Sequence, residues 1–364
     1  MKLFIIGNGF DRGHCLPTRY LDFRTFLDDT NWEFLMSFEE TYSIYQPDFS
    51  DPYYSVDAFI QSRNDLLWYE LETNLANIEL DYIIDNAIHM DLGLENEDGI
   101  IDTLDAHHAR KYQYIEQLAV YLDDWVKTIS LEHTRPRTTK ISPNNEALYI
   151  SFNYTEVLEN LYQIDPSKVI HIHGSIREED LDPVLGHGNL EIIDSMKVGR
   201  LEAEVQQNEK AMSIHGAMEN YLRETYKDIR KYMHNLRRLQ GVDVDEIIVI
   251  GHSLSGVDIP YFKEIDLKTS EKANWKVYYH SPVDEKRMLD SLLECGINKE
   301  RIVMIPSSDF YDLPYDSSDR MTGSCCNCCN DKPIDDIVVY SDCGGTACNA
   351  ICLTEHECEP EGNM

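Results

Sequence analysis

Six short segments of this chain are almost continuously apolar, and they constrain the fold more than any other feature. Each is rich in Ile, Val, Phe or Tyr and lacks the alternation of a half-exposed strand. Such runs are typical of strands buried on both faces, so we predict a covered parallel β-sheet. The segments are KLFIIGN (2–8), ALYISFN (147–153), KVIHIHG (168–174), EIIVIGH (246–252), WKVYYHS (275–281) and RIVMIP (301–306).

Long stretches with apolar residues at helical spacing separate these strands, as in residues 57–88, 105–130 and 209–240. Strands that alternate with helices predict an α/β fold with a doubly wound, Rossmann-like parallel sheet. Because two of the helical stretches follow the first strand without a second strand between them, we predict an inserted helical subdomain at about 30–140. The α/β domain is predicted to span 1–315.

The last part of the chain, 316–364, is predicted to be a separate Cys-rich tail, because the sequence there becomes polar and turn-rich. Eight of the ten cysteines lie in it. Paired thiolates followed by a second Cys group fit a zinc site, whereas their irregular spacing fits a disordered or redox-active tail equally well. The candidate zinc ligands are Cys325, Cys328, Cys343 and Cys348.

Net charge excludes whole classes of partner. The chain has 66 acidic and 32 basic residues, a formal charge of -34. Nucleic acids and anionic membranes are bound by cationic surfaces, so neither is expected as the main partner. No apolar run reaches the ~18 residues that would span a bilayer, and MKLFIIGNGF is not organised like a signal peptide. We therefore expect a soluble cytoplasmic protein.

Polar residues and glycines follow four of the predicted strands. In open parallel sheets ligands bind beyond the carboxyl ends of the strands, so we predict one shared ligand site there. The candidates are Gly7, Asn8, Gly9 and Asp11 after the first strand, Asn153 and Thr155 after the second, His173 and Gly174 at the third, Gly251, His252, Ser253 and Asp258 after the fourth, and His187 in the segment LGHGN.

The first of these turns, GNGFDRG, has two interpretations. Its glycines would let the backbone approach a phosphate at a helix start, or they would simply form a tight turn. The spacing is not GxGxxG, because the third glycine is Gly13. The amide of Asn153 is equally open: it can hold a water or a ribose hydroxyl, or satisfy backbone groups of its own loop.

The segment HIHG contains the best candidate for proton transfer. The imidazole of His173 can accept a proton near neutral pH, and Gly174 leaves the adjacent backbone accessible. Because residues i and i+2 of a strand share a face, we expect His171 to point the same way as His173 but deeper, in a packing role.

The segment GHSLSG (251–256) suggests a different chemistry. A strand, a G-x-S turn and a helix are typical of the nucleophile elbow of α/β-hydrolases, with Ser253 as nucleophile. Asp266 and His280 would then be the acid and the base. The competing role for Ser253 is contact with a nucleotide.

Several segments together resemble, in order, those of the bacteriophage abortive-infection AbiH family. The resemblance covers roughly residues 1–310 and implies a role in anti-phage defence with a phage-derived trigger. The matching segments are GNGFDRGHCLPTRYLDF (7–23), LWYELETNL (67–75), SFNYTEVLENLY (151–162), HIHGS (171–175), LGHGN (185–189) and IGHSLSGVDIPYF (250–262).

These segments also resemble a remote form of the sirtuin-like NAD-binding fold. That resemblance implies hydrolysis of NAD, with Asn153 orienting water or ribose and His173 acting as base. Gly7, Gly9, Ser253 and Asp258 would hold the dinucleotide. A nucleotide-binding sensor without turnover and a serine esterase remain the alternatives, and a homo-oligomer remains open.

Overall fold

The computed structural model of the chain describes residues 1–45, 55–89, 100–177 and 179–313, and the pairs 338–339 and 346–347. Its centre is a six-stranded sheet in which every neighbouring pair is parallel, as predicted. The strands are β1 (Lys2–Ile6), β2 (Ala147–Ser151), β3 (Val169–His171), β4 (Glu246–Ile250), β5 (Asn274–Tyr279) and β6 (Ile302–Pro306).

The strand order is β3-β2-β1-β4-β5-β6, which is that of the doubly wound Rossmann sheet. Ile6 at the end of β1 is level with Ser151 of β2 on one side and with Ile250 of β4 on the other. The direction of winding changes at β1, and in such sheets the ligand crevice lies at this switch point. The turns after β1, β2 and β4 therefore meet where a ligand is expected.

Helices cover the sheet and form a second, helical region. They are α1 (Asn8–Gly13), α2 (Tyr20–Thr30), α3 (Trp32–Thr41), α4 (Val56–Arg63), α5 (Leu71–Asn74), α6 (Leu80–His89), α7 (Ile100–Tyr112), α8 (Leu118–Thr128), α9 (Leu190–Val205), α10 (Glu209–Glu224), α11 (Ile259–Lys268) and α12 (Pro282–Glu294). Within the described ranges, every helix is too short or too polar to cross a membrane.

Each layer has its own hydrophobic core. On one face of the sheet, Leu3 and Val249 pack in one cluster with Phe262 of α11 and Leu292 of α12. On the other face, the cluster contains residues of β1, β2 and β4 together with Phe10 of α1. The alternating residues of each strand are thus buried on opposite faces, which explains the continuous apolar runs.

The helical region is larger than predicted. Its core contains Phe38 and Trp125 from the predicted insertion, and also Ile193 of α9 and Ile214 of α10. The helical region is therefore built from two stretches of chain, one before β2 and one between β3 and β4. Helical spacing alone does not show which hydrophobic core a helix joins.

The predicted helical stretches are not continuous α-helices. Residues 57–88 form α4, a π-helical turn (Asn64–Trp68), α5 and α6, and α10 ends at Glu224 rather than near 240. Beyond α10 the chain pairs with a distant segment: the His187 N–H donates to Thr225 O at 2.8 Å, and the Lys227 N–H donates to His187 O at 2.9 Å. These bonds draw the backbone out of the helix.

In the tail, β7 (Val338–Val339) and β8 (Thr346–Ala347) form an antiparallel pair. Cys325, Cys328, Cys343 and Cys348 lie outside the described residues, so the zinc site stays a prediction.

Candidate functional site

The turns that follow β1 and β4 pack directly on each other. The Gly9 N–H donates to Gly251 O at 2.7 Å, and the Gly7 N–H donates to Ile250 O at 3.0 Å. A Cβ on Gly7 would lie 2.6 Å from Gly251 O. These glycines permit close backbone contact, and their amides are already used within the protein. This geometry favours the tight-turn interpretation over the predicted phosphate contact of Gly7 and Gly9.

Beside this contact lies the first polar group, the Asp11 cluster, defined as Asp11, Asn153 and Thr155. Asn153 Nδ2 donates to Asp11 Oδ1 at 2.7 Å and to Gly7 O at 3.2 Å. Thr155 Oγ1 donates to the second oxygen, Asp11 Oδ2, at 2.5 Å. The structure thus brings together three residues that the sequence placed after two different strands.

Burial dominates the electrostatics of this cluster. Asp11 is only 1% exposed, and burial raises its pKa to about 7 although both hydrogen bonds act to lower it. Asn153 Oδ1 is buried and accepts no hydrogen bond from the part of the chain that the structure describes. A buried oxygen without a donor is a position where a ligand or a water would bind.

His171 contacts the backbone of the loop that carries Asn153 of the Asp11 cluster. Its Nδ1 lies 3.0 Å from Asn153 O, and its Nε2 lies 2.8 Å from Glu159 Oε1. Burial alone would lower the pKa of His171, but the hydrogen bond and charge of Glu159 outweigh burial and raise it. The protonated ring donates at both ends, so it fixes the loop that carries Asn153.

His173 does not share the surroundings of His171, contrary to expectation. It packs against Phe152, with ring centroids 5.3 Å apart, and against Tyr261 on the α11 face of the sheet. The reason is that β3 ends at His171. Beyond that residue the two-residue alternation of a strand no longer applies.

His173 belongs to a second polar group, the Asp258 cluster, defined as Glu72, His173, Lys227, His252 and Asp258. Lys227 Nζ lies 2.7 Å from Glu72 Oε1 and 3.4 Å from Asp258 Oδ1. His252 Nε2 lies 3.5 Å from Asp258 Oδ2, while its Nδ1 accepts the Leu254 N–H at 2.9 Å. The ammonium of Lys227 is completely buried between the two carboxylates.

Distant parts of the chain supply this cluster. Glu72 lies on α5 of the helical region, and Lys227 follows α10, where its backbone is held by His187. His252 follows β4, and Asp258 ends a 3₁₀ turn (Gly256–Asp258) that leads into α11. The site therefore requires the helical region to dock on the sheet.

The charges of the Asp258 cluster determine its protonation. Burial alone would raise the pKa of Asp258, but Lys227 and His173 outweigh it and hold that pKa well below its usual range. Burial raises the pKa of Glu72 to about 7, with Lys227 acting against the rise. Burial would lower the pKa of Lys227, yet the two carboxylates raise it. Lys227 and Asp258 are therefore ionised at neutral pH.

The predicted role of His173 as a base finds little support in these surroundings. Burial and the charge of Lys227 lower its pKa to about 3, far from the value near 7 that suits a general base. Its Nδ1 faces Lys227 Nζ at 3.5 Å, and its Nε2 lies 3.3 Å from Tyr261 OH. Since an ammonium only donates, the imidazole proton resides on Nε2.

The remaining candidates of the sequence analysis have local partners. Asn8 Nδ2 donates to Thr18 O at 2.7 Å. Gly174, at φ +82°, packs against the carbonyl of Asp182. The ring of His187 accepts the Asn189 N–H and donates to a backbone carbonyl, so it organises the turn that carries Lys227.

The residues nominated for an esterase are not assembled as a triad. Ser253 is exposed and receives a hydrogen bond from Ser255 at 2.8 Å. The carboxylate of Asp266 is held by Trp275 Nε1 at 3.0 Å and by Arg301 Nη1 at 3.0 Å, while His280 is exposed. The acid is thus committed to structural partners, which argues against an esterase.

Sequence reasoning missed Glu72 and Lys227. Glu72 lies in LWYELETNL, one of the segments that carry the family resemblance, and this was its only signal. Nothing local distinguishes Lys227 from an exposed lysine. In the described ranges no group of three or more His, Cys, Asp or Glu side chains is arranged to hold a metal ion.

A family model described as "Bacteriophage abortive infection AbiH" matches residues 3–279, which is more than half of the chain. The chain belongs to the AbiH family. The matched region includes both the Asp11 cluster and the Asp258 cluster, and the resemblance to the AbiH family is confirmed, whereas the resemblance to the sirtuin-like fold stays a prediction. No curated protein and no solved structure matches this AbiH chain.

Proposed function

We propose that this AbiH protein is an abortive-infection effector that binds NAD or a related nucleotide and hydrolyses its nicotinamide–ribose bond. The observation that supports the proposal is the presence of two buried ionisable clusters at the switch point of a doubly wound sheet. Buried groups with strongly displaced pKa values are concentrated at functional sites.

The hydrogen-bonding capacity of the site suits a nucleoside. Asn153 Oδ1 and Asp258 Oδ1 are buried oxygens that accept no hydrogen bond from the described residues. Ribose hydroxyls are donors and would satisfy such oxygens. The amides of Gly7 and Gly9 are occupied, so contacts to a pyrophosphate would come from other groups.

In the proposed reaction a water attacks C1′ of the ribose. The C1′–N bond breaks, its electron pair goes to the nicotinamide nitrogen, and the proton of the water passes to Asp11. A carboxyl with a pKa of about 7 is suited to accept that proton at neutral pH. Asn153 Oδ1 would orient the water, and fixed carboxylates would stabilise the cationic transition state. His173 would be a hydrogen-bonding residue rather than the base.

The direct test is to incubate the purified protein with NAD and to measure nicotinamide release by chromatography. We expect Asn153→Ala and Asp11→Asn to lower the rate by about 100-fold or more. Ser308→Ala, on the exposed surface, is the control and should retain the wild-type rate. If the folded wild-type protein releases no nicotinamide, the proposal that it hydrolyses NAD is wrong.

A nucleotide-binding sensor without turnover is the second candidate. It is favoured by the hydrogen bonds of Asp11, because both of its carboxylate oxygens already accept one and are less available to take a proton from water. Calorimetry with NAD separates the two candidates: heat of binding without release of nicotinamide supports the sensor. In cells, Asn153→Ala should abolish protection against phage under either candidate, as measured by plaque counts at equal protein abundance.

A further inference from the structure

The Asp258 cluster contains more negative than positive charge. Glu72 and Asp258 both pair with the same ammonium, that of Lys227. Two carboxylates thus share one cation when all three groups are ionised. Burial makes such an excess costly unless one carboxylate takes up a proton or another positive charge is added.

One oxygen in this cluster has donors only at long distance. Asp258 Oδ1 is 3.4 Å from Lys227 Nζ and 3.5 Å from His173 Nε2, and it accepts no hydrogen bond from the described part of the chain. The residue as a whole is 8% exposed. A buried, ionised oxygen with this deficit is complementary to a cation or to a hydroxyl donor.

Aromatic rings pack against the two histidines of this cluster. The ring of Phe152 is 4.4 Å from the His252 ring and 5.3 Å from the His173 ring, measured between centroids. The rings of Tyr261 and Tyr232 lie 5.4 Å and 6.1 Å from His173. Tyr261 is fully buried, whereas Phe152 and Tyr232 are partly exposed and are the rings that a flat cationic group would contact.

Resting on the proposed function, we infer that the Asp258 cluster binds the positively charged nicotinamide–ribose end of the ligand and selects it over the neutral, reduced form. Asp258 is the contacting group. Glu72 and Lys227 are positioning residues that act through Asp258, and the helical region supplies both. The ligand class is an N-ribosylpyridinium cation.

The different roles of Lys227, Asp258 and Glu72 in binding follow from their charges. Lys227 keeps Asp258 ionised, and the surplus charge falls on Glu72, which lies near its titration point at neutral pH. Besides Lys227 and Asp258, the hydroxyls of Tyr20 and Tyr154 interact with Glu72. An added cation would lower the pKa of Glu72, so binding near pH 7 should release protons.

The test is calorimetric binding of nicotinamide riboside, a cation without pyrophosphate, compared with its neutral reduced form. We expect the cation to bind at least about 10-fold more tightly, because only it compensates the surplus charge. Titrations in two buffers of different ionisation enthalpy should show proton release that Glu72→Gln removes. Equal affinity for the two forms, or binding of neither, would overturn the inference.

Variants then show which residue causes the preference for the cation. Asp258→Asn should remove most of the preference for the cation, whereas Asp290→Asn, which changes an exposed carboxylate on α12, should leave it unchanged. Circular dichroism checks that each variant is folded, and the comparison on the wild-type protein needs no variant at all. A preference that survives in folded Asp258→Asn contradicts the assignment.

These results are distinguishable from those that test hydrolysis. If the cation is preferred but NAD is not cleaved, the catalytic proposal fails and the binding assignment stands. If NAD is cleaved but both forms of the riboside bind equally, the binding assignment fails and the catalytic proposal stands.

Discussion

The Asp11 cluster and the Asp258 cluster lie at the same end of the sheet, yet the pKa values of the two buried aspartates after which they are named move in opposite directions. Asp11 is surrounded by neutral donors, and burial raises its pKa to about 7. Asp258 lies beside a buried ammonium, and its pKa stays well below the usual range. At Asp11 neutral hydrogen bonds do not offset the loss of water, whereas at Asp258 the neighbouring positive charge does. Glu72 shares the same ammonium, yet burial still raises its pKa to about 7.

The two clusters also differ in how much tertiary structure they need. The Asp11 cluster is formed by α1, which follows β1, and by the turn that follows the adjacent strand β2. The Asp258 cluster joins the sheet to the helical region through the Glu72–Lys227 pair. Perturbing the docking of the helices should consequently affect the second cluster more than the first.

The largest effect is expected where the two clusters meet, at the contact between the first and fourth turns. In Gly251→Ala the new Cβ would lie 2.1 Å from Phe10 N, on a backbone with φ +72°. We expect a loss of more than ~4 kcal/mol in the free energy of unfolding, or failure to fold. Urea denaturation measures it.

Gly241→Ala is the matched control for that substitution. Gly241 has φ +80°, but a Cβ there would meet no atom within 4 Å. Gly241→Ala should lower the free energy of unfolding by only the ~1–2 kcal/mol that a non-glycine residue loses in the left-handed conformation. Equal losses in the two variants would mean that the turn contact contributes nothing.

Lys227→Met should be the next most damaging change, because it leaves the buried carboxylate of Asp258 and the partly buried carboxylate of Glu72 without a cation. We expect a loss of ~3–5 kcal/mol at pH 8. The loss should be smaller at pH 5.5, where Glu72 becomes protonated. Lys231→Met, at an exposed site, should stay within ~0.5 kcal/mol of the wild type. A loss that is the same at both pH values would contradict the role of Lys227 as a charge partner.

Asp11→Asn should give the smallest effect, and one that depends on pH. The pKa of Asp11 is raised from 3.8 to about 7 on folding, so the stability it contributes is full below pH 3.8 and is lost as pH rises through 7. The variant lacks this titration. Between pH 5 and pH 8 the wild type should therefore lose ~3 kcal/mol relative to the variant in urea unfolding. A constant difference across that range would show that burial does not raise this pKa.

The local sequence pattern was sufficient to predict part of the site. Continuous apolar runs predicted all six strands, and their parallel arrangement predicted that Asp11, Asn153 and Thr155 would lie close together. Asp11 lies on α1, the helix that follows β1, and Asn153 and Thr155 lie in the turn after β2, so the sheet positions all three. The same logic failed for His173, because β3 ends two residues before it.

What the sequence by itself determined is the parallel α/β framework, the family and the end of the sheet that carries the polar residues, since each depends on residues close together in the chain. Only the tertiary structure decided the rest: the second stretch of the helical region, the end of α10 and the pairing of Glu72 with Lys227. Whether a lysine is buried or exposed depends on the segments that pack around it. Those contacts join residues 155 positions apart, and no local pattern encodes them.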